Sequence, residues 1–302
     1  MTGEHEMTEQ TASPATGAKP GPVSARDAER AALAPDVAGH TPKMPPTPPV
    51  NYPRAIKGMW DLIGDKEDTT HVFTVVHNLN GTTLDGAFHR FVRSDVGERA
   101  IRDPLHLLRA MDDRDRLRAL PEDTFGHAYA RFMDREGLST NGVQEAAVAA
   151  GTDYDALRRD YPYAYAFFWH QNLSHDLYHV LTRYGRDGLG EGAVLRFTHE
   201  HTRSRGIKFI ARFAGLRFRI ADPTIPAGAI MREAAKLGRE AEDFVTADWA
   251  ALLELPLDEV RRRLNVGTPH AYLSVPQAKL ARIGATEATP LHEDAREEPL
   301  AA

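Results

Sequence analysis

The sequence predicts an all-α fold in one multi-helix domain, and three observations carry that expectation. Apolar residues recur at spacings of three and four through most of the chain between 51 and 286. Good helix formers fill those stretches, with Gly and Pro between or beside them. No strands alternate with helices, which argues against a dinucleotide-binding or barrel architecture. The expected helices cover 54–64, 70–79, 83–94, 104–110 and 124–136, then 141–150, 155–184, 190–202, 226–242 and 246–265. Gly81, Pro104, Pro121, Gly137, Gly151, Gly185, Gly190, Pro223 and Pro226 punctuate them. Residues 1–50 are rich in Pro, Ala, Thr and Gly, with Pro45, Pro46, Pro48 and Pro49 crowding the end. Such a stretch buries too little apolar surface to offset its chain entropy and reads as a disordered tail. A short helix near Ala28–Ala34 is the one element expected in it. A second tail is expected over 287–302.

Composition narrows the function. The chain has 302 residues, a formal net charge of -6 and no cysteine. The charge gives no reason to expect nucleic acid as a partner. Without cysteine there are no disulfides, thiolate metal sites or cysteine nucleophiles. No apolar run reaches the roughly 18 residues of a membrane span. The N-terminus lacks the pattern of a secretory signal, and Glu4, Glu6 and Glu9 are out of place in a transit peptide. The expectation is a bacterial-style cytoplasmic protein, peripheral on the inner face of the cytoplasmic membrane where its substrate requires it. A homodimer is the base-rate expectation for its assembly.

One stretch carries chemistry: His175-Asp176-Leu177-Tyr178-His179, eleven residues, then Glu191. Two histidines four apart on a helix present their rings to one side, one turn apart, which suits two nitrogens on one ion. Asp176 is turned about 100° away, to swing in as a ligand or to orient a histidine from behind. Gly185 reads as a helix C-cap, and Gly188 and Gly190 keep the turn loose before a helix that Glu191 opens. Histidines plus carboxylates leave coordination positions open, as catalytic sites do.

The string HDLYHVLTRYGRDGLGE, 175–191, resembles the signature of the Coq4 family of ubiquinone (coenzyme Q) biosynthesis. Leu120-Pro121 followed by Thr124, Gly126, Tyr129, Phe132 and Gly137 is similar to a second stretch of that family, and the likeness covers about residues 50 to 275. The resemblance implies an all-α fold and a divalent ion, usually zinc, with His175, Asp176, His179 and Glu191 as both ligands and catalytic residues. It implies a carboxy-lyase that removes the C1 carboxyl of a polyprenylated 4-hydroxybenzoate derivative, in some readings coupled to hydroxylation. It also implies association with other ubiquinone-biosynthesis enzymes. Ferrous iron suits the same donors and would admit the oxidative variant. The alternative is a non-catalytic organiser that binds polyprenyl lipids. Two departures stand out. Relatives carry Arg-Tyr-Arg-Glu where His170, Gln171, Asn172 and Leu173 stand, and often Gly at Arg183.

Neighbouring residues extend the reading. Arg183, four after His179, is either a carboxylate anchor or a solvated helix-end cation. Tyr178 and Tyr184 read as packing residues with hydrogen-bonded tips. His199, Glu200 and His201 read as surface residues, because histidines two apart leave a helix on different faces. Phe167, Phe168, Trp169 and His170 read as core or as the wall of a prenyl tunnel. The segment Arg203–Ile220 holds six basic residues, no acid, and Ile207, Phe209, Ile210, Phe213 and Leu216. It reads as a membrane-surface element or a half-buried helix, and Gly206 and Gly215 weaken the helix itself.

Overall fold

Strong caps cut the chain into helices. The computed structural model describes residues 37–64 and 70–282. In order they form α1 (Tyr52–Gly64), α2 (Thr70–Leu79), α3 (Asp85–Val92), α4 (Asp95–Arg102), α5 (His106–Asp112), α6 (Arg114–Ala119), α7 (Phe125–Arg135) and α8 (Gly142–Ala149). There follow α9 (Tyr154–Asp160), α10 (Pro162–Thr182), α11 (Gly188–Thr202), α12 (Arg205–Ala221) and α13 (Ala227–Glu240). After a 3-10 turn at Phe244–Thr246 come α14 (Trp249–Leu252), α15 (Leu257–Arg263), α16 (His270–Leu273) and α17 (Gln277–Arg282). Among the described residues there is no strand, and Thr124 and Pro256 make an isolated bridge. Ser94, Thr124, Asp153, Asp187 and Ser204 each accept a backbone N–H from the helix they precede. Each such cap is worth about 1 kcal/mol over alanine.

The all-α expectation holds, and the boundaries differ where local chemistry intervenes. The expected helix 155–184 breaks at Tyr161, because a residue before proline avoids the helical region and Pro162 then starts α10. The expected helix 246–265 is the short α14 and α15, divided at Pro256. Helices α4 and α6 were not anticipated, being short and dominated by charge. Arg203–Ile220 does form a helix, α12, despite its glycines. A Cβ on Gly206 would sit 2.5 Å from the Val76 backbone, and one on Gly215 2.8 Å from Met231, so both are present for close approach.

Helix α10 runs through the middle of the domain and packs on α4, α7, α8 and α9. Helix α11 lies between α12 and α13. Where α11 meets α10, Tyr178, Phe197, Phe244 and Trp249 interlock with ring centroids about 5 Å apart. Residues 37–50, expected in the tail, are ordered against this body. Val37 and Met44 pack beside Phe88, Phe91 and Phe167, and the Lys43 ammonium lies 5.2 Å from the Tyr161 ring centre. The rest of the expected N-terminal tail, including Ala28–Ala34, and the tail 287–302 lie outside the described residues.

The placement of His199, Glu200 and His201 on the surface is corrected: all three are buried. Helix α11 is covered on two sides, so even divergent faces point inward. The Glu200 carboxylate is satisfied by Arg196 at 2.6 Å, Arg203 at 2.7 Å and Arg239 at 3.4 Å. His201 stacks on Phe244, and burial lowers its pKa to about 4. Burial lowers His170, packed on Phe91, to about 3.

Both imidazoles are therefore neutral when folded, whereas the unfolded chain protonates them near 6.5. Below that pH the unfolded state binds more protons, so stability falls as pH falls toward 4. Each histidine contributes a loss of up to about 1.4 kcal/mol per pH unit. Thermal melts from pH 7 to 4 should show this decline, and His201→Phe should make it shallower. A pH-independent melting temperature would contradict the assignment.

Candidate metal centre

The site is made by one turn. Helix α10 ends at Thr182, and Arg183 takes the left-handed conformation (φ 61°), its N–H donating to the His179 carbonyl at 3.0 Å. The cap is thus Arg183 and not Gly185. Four residues on, the Asp187 carboxylate accepts from the N–H groups of Leu189 and Gly190 at 3.1 and 3.0 Å and starts α11. A Cβ on Gly190 would lie 2.1 Å from the Gly185 carbonyl oxygen, so glycine is required for the loop to tuck beneath the helix. Tyr272 locks the turn from α16. Its hydroxyl donates to Asp187 Oδ2 and accepts the Gly185 N–H at 3.0 Å. Burial raises the Asp187 carboxyl above its ordinary range, although Tyr272 and the two backbone donors act against it.

This turn returns Glu191 to the histidine face of α10. One ligating atom from each of His175, His179 and Glu191 lies within 4.8 Å of the others. His179 Nε2 is 3.5 Å from Glu191 Oε1, and His175 Nε2 is 3.7 Å from Glu191 Oε2. The two imidazoles stand nearly perpendicular, 5.1 Å apart, and Phe132 stacks on His179. His179 Nδ1 is 2.9 Å from the Tyr184 carbonyl. A carbonyl only accepts, so Nδ1 carries the proton and Nε2 turns its lone pair to the cluster. His179 is 1% exposed, and its Nε2 has no hydrogen-bond partner. A buried acceptor left open beside a carboxylate and a second imidazole is what a bound cation would satisfy. Two nitrogens and one oxygen fit zinc or ferrous iron. Burial alone would raise Glu191 and lower His179. Their mutual attraction outweighs it, holding the carboxyl below and the imidazole above their ordinary values.

Asp176 does not join the other three. It lines the same cavity and acts on His179 through its charge. The cavity is about 1020 Å³. It runs between α10 and α11, which touch only briefly. One wall is the stripe Glu191, Leu195, Thr198 and Thr202, spanning about 16 Å at 1.5 Å per residue. Phe168, Gln171, Asn172 and His175 face it, and Met44 to Pro48 close part of the rim.

The model for "Coenzyme Q (ubiquinone) biosynthesis protein Coq4" matches residues 58–270. The chain belongs to the Coq4 family. The Coq4 protein named ubiquinone biosynthesis protein coq4, mitochondrial, of Pyrenophora tritici-repentis is 29% identical over 60% of this chain and 58% of its own length. Its Pyricularia oryzae namesake is 25% identical over 74% of each. The chain therefore spans about three-fifths of the first relative it matches. A crystal structure titled as a putative ubiquinone biosynthesis protein from Nostoc punctiforme PCC 73102 aligns with TM-score 0.49 and 18% identity, over 72% of this chain and 99% of that one. The relatives are named mitochondrial, which overturns the expected bacterial-style cytoplasmic location. That expectation leaned on the missing features of a targeting segment, and an absence at one end of a sequence carries no address.

Other expectations for this Coq4 chain divide. Arg183 does not line the cavity: it is the left-handed cap and donates to Thr268 Oγ1 at 3.1 Å. Glycine is the natural residue for that conformation, so an arginine there costs about 1 kcal/mol of backbone strain. Tyr178 and Tyr184 are packing residues, but their buried hydroxyls lack the expected hydrogen-bond partners. Phe167 and Phe168 line the cavity, whereas Trp169 and His170 are core. The sequence reading missed two residues of the turn: Asp187, whose place just before Gly188 and Gly190 carried a helix-cap signal, and Tyr272, which lies far along the chain and had no local signal.

Removing the Tyr272 hydroxyl takes away the partner of Asp187 Oδ2 and of the Gly185 N–H, while Oδ1 keeps its two backbone donors. Tyr272→Phe should cost about 1–3 kcal/mol in thermal or urea unfolding. A wild-type unfolding curve would mean that the turn is held elsewhere.

Proposed function

We propose that this protein is a metal-dependent carboxy-lyase of ubiquinone biosynthesis, acting at C1 of a polyprenylated 4-hydroxybenzoate derivative. The observation that carries the reading is the cluster of His175, His179 and Glu191 on the wall of a long cavity. In this reading those three side chains hold the ion, and the Tyr184 carbonyl and Phe132 keep His179 aimed. Asp176 stays on the wall as a charge beside the ligands. When bound, the ion supplies Lewis acidity, and ferrous iron adds redox chemistry. Phe168, Leu195, Ile207 and Ile210 offer an apolar bed for a prenyl tail. The aromatic ring then rests with its carboxyl toward the donors. The carboxyl leaves as carbon dioxide, its bonding electrons remain on C1, and C1 takes a proton.

Purified protein should hold about one equivalent of zinc or iron and release carbon dioxide from a prenylated 4-hydroxybenzoate. His179→Ala should lose both metal and turnover while keeping its helical circular dichroism. Full turnover by metal-stripped protein would sink the lyase reading. Metal and ligand binding without turnover would favour the lipid-binding organiser.

We also propose that α12 and α1 form a membrane-docking face. Tyr52, Ile56 and Trp60 make an exposed stripe along α1, and Trp60 meets Phe213 of α12 edge-on at 6.4 Å. Leu216 and Ile220 are exposed on α12, with Arg205, Arg212 and Arg219 standing out among them. An apolar patch ringed by cations suits an anionic lipid surface, here a mitochondrial one. Reversing Arg212 and Arg219 to Glu should weaken binding to anionic vesicles about tenfold or more, at about 1 kcal/mol per lost basic residue. Binding unchanged by these reversals and by added salt would refute it.

A further inference from the structure

Two arginines that the metal cluster does not use line the cavity beside it. Arg186 stands immediately before the Asp187 cap, five residues from Glu191. Arg217 comes from α12. Its height is fixed by two close contacts: a Cβ on Gly188 would lie 2.8 Å from Phe218, and one on Gly192 2.8 Å from Ala214. Arg217 lies between Ala214 and Phe218 on the stretch of α12 that packs against the first turns of α11. The two residues line the cavity that Glu191 also lines, come from different elements, and are both half-buried.

Their charges are poorly neutralised. Arg186 lies 3.7 Å from Glu136, which also pairs with Arg135 at 3.3 Å. Arg217 makes no ion pair among the described residues; its guanidinium sits 5.6 Å from the Phe218 ring centre. Half-buried guanidinium groups facing a cavity bind a planar carboxylate well, since their N–H forks match its two oxygens.

We propose that Arg186 and Arg217 form an anion subsite that takes the carboxylate of an aromatic ligand and holds it next to the metal donors. The subsite fills the role that the sequence suggested for Arg183. It rests on the reading of the ligand as a prenylated aryl carboxylate. It also explains selection at the cavity: the apolar bed accepts any prenylated ring, and the arginines prefer one bearing a carboxylate.

Calorimetric titration of the purified protein tests this with two probes, a geranylated 4-hydroxybenzoate and the matching geranylated phenol without the carboxylate. The wild type should bind the carboxylate about tenfold tighter than the phenol. Arg186→Gln and Arg217→Gln should each weaken the carboxylate by about tenfold and the phenol by less than about twofold. Arg217→Lys, which keeps charge but loses the fork, should fall between. The phenol reports whether each variant still folds its cavity. Equal wild-type affinity for the two probes, binding of neither, or equal losses on both would overturn the subsite. Absence of carbon dioxide release with the binding preference intact would remove the lyase reading and leave the subsite standing.

Discussion

The hydrogen bond from His179 Nδ1 to the Tyr184 carbonyl is the constraint on which the site depends. It ties the last turn of α10 to the loop beyond, and it sets the tautomer that frees Nε2. The same device recurs one helix later. His199 Nδ1 meets the Ser204 carbonyl at 2.9 Å, and Arg203 is left-handed at φ 60° as Arg183 is at 61°. Thr182 and Thr202 each donate to the carbonyl four residues back. Both helices end in His-x-x-Thr-Arg. What separates them is what the free nitrogen meets. His179 Nε2 faces a carboxylate and a second imidazole, whereas His199, whose pKa is lowered chiefly by burial, also lies near Lys208 and Arg196. One closing device thus presents its free nitrogen to very different neighbours in the two helices.

The cavity requires α10 and α11 to stay apart beyond that turn, which removes packing that two adjacent helices would otherwise share. Other contacts hold them at that separation. The rings of Tyr178, Phe197, Phe244 and Trp249 clamp the two helices on one side. Arg261 donates to the carbonyls of Val180 and Leu181 near the end of α10. On the far side, Glu200 ties α11 to Arg239 of α13. Rigid walls around an open interior keep ligating side chains in place without a ligand to organise them.

Helix content, the histidine pair and the return of Glu191 were legible because each is local: periodicity, a four-residue spacing, and glycines around a turn. The misreadings share a cause. Gly185 was the obvious cap by residue type, yet Arg183 takes the left-handed position because the Tyr184 carbonyl must turn toward His179. His199, Glu200 and His201 looked exposed because a single helix says nothing of what covers it. Asp176, adjacent to His175 in sequence, is turned away from the cluster by the 100° step of the helix. Pro45, Pro46 and Pro48 have the composition of a disordered tail, but proline's restricted backbone lowers the entropy of laying an extended segment across a cavity rim.

The two faces of α12 join these features. Outward it carries Arg212, Leu216, Arg219 and Ile220; inward, Ile210, Ala214 and Arg217 reach the cavity. Phe213 lines the cavity and also touches exposed Trp60. Surface and interior are therefore continuous through one helix, with the cluster of His175, His179 and Glu191 on the same cavity at the start of α11. A ligand with an apolar tail and a charged head would meet cations at both ends of that path. In the proposed function, its tail never has to cross open water between a lipid surface and the cavity. The cost of exposing a long apolar chain to water, about 25 cal/mol per Å², is what such continuity avoids.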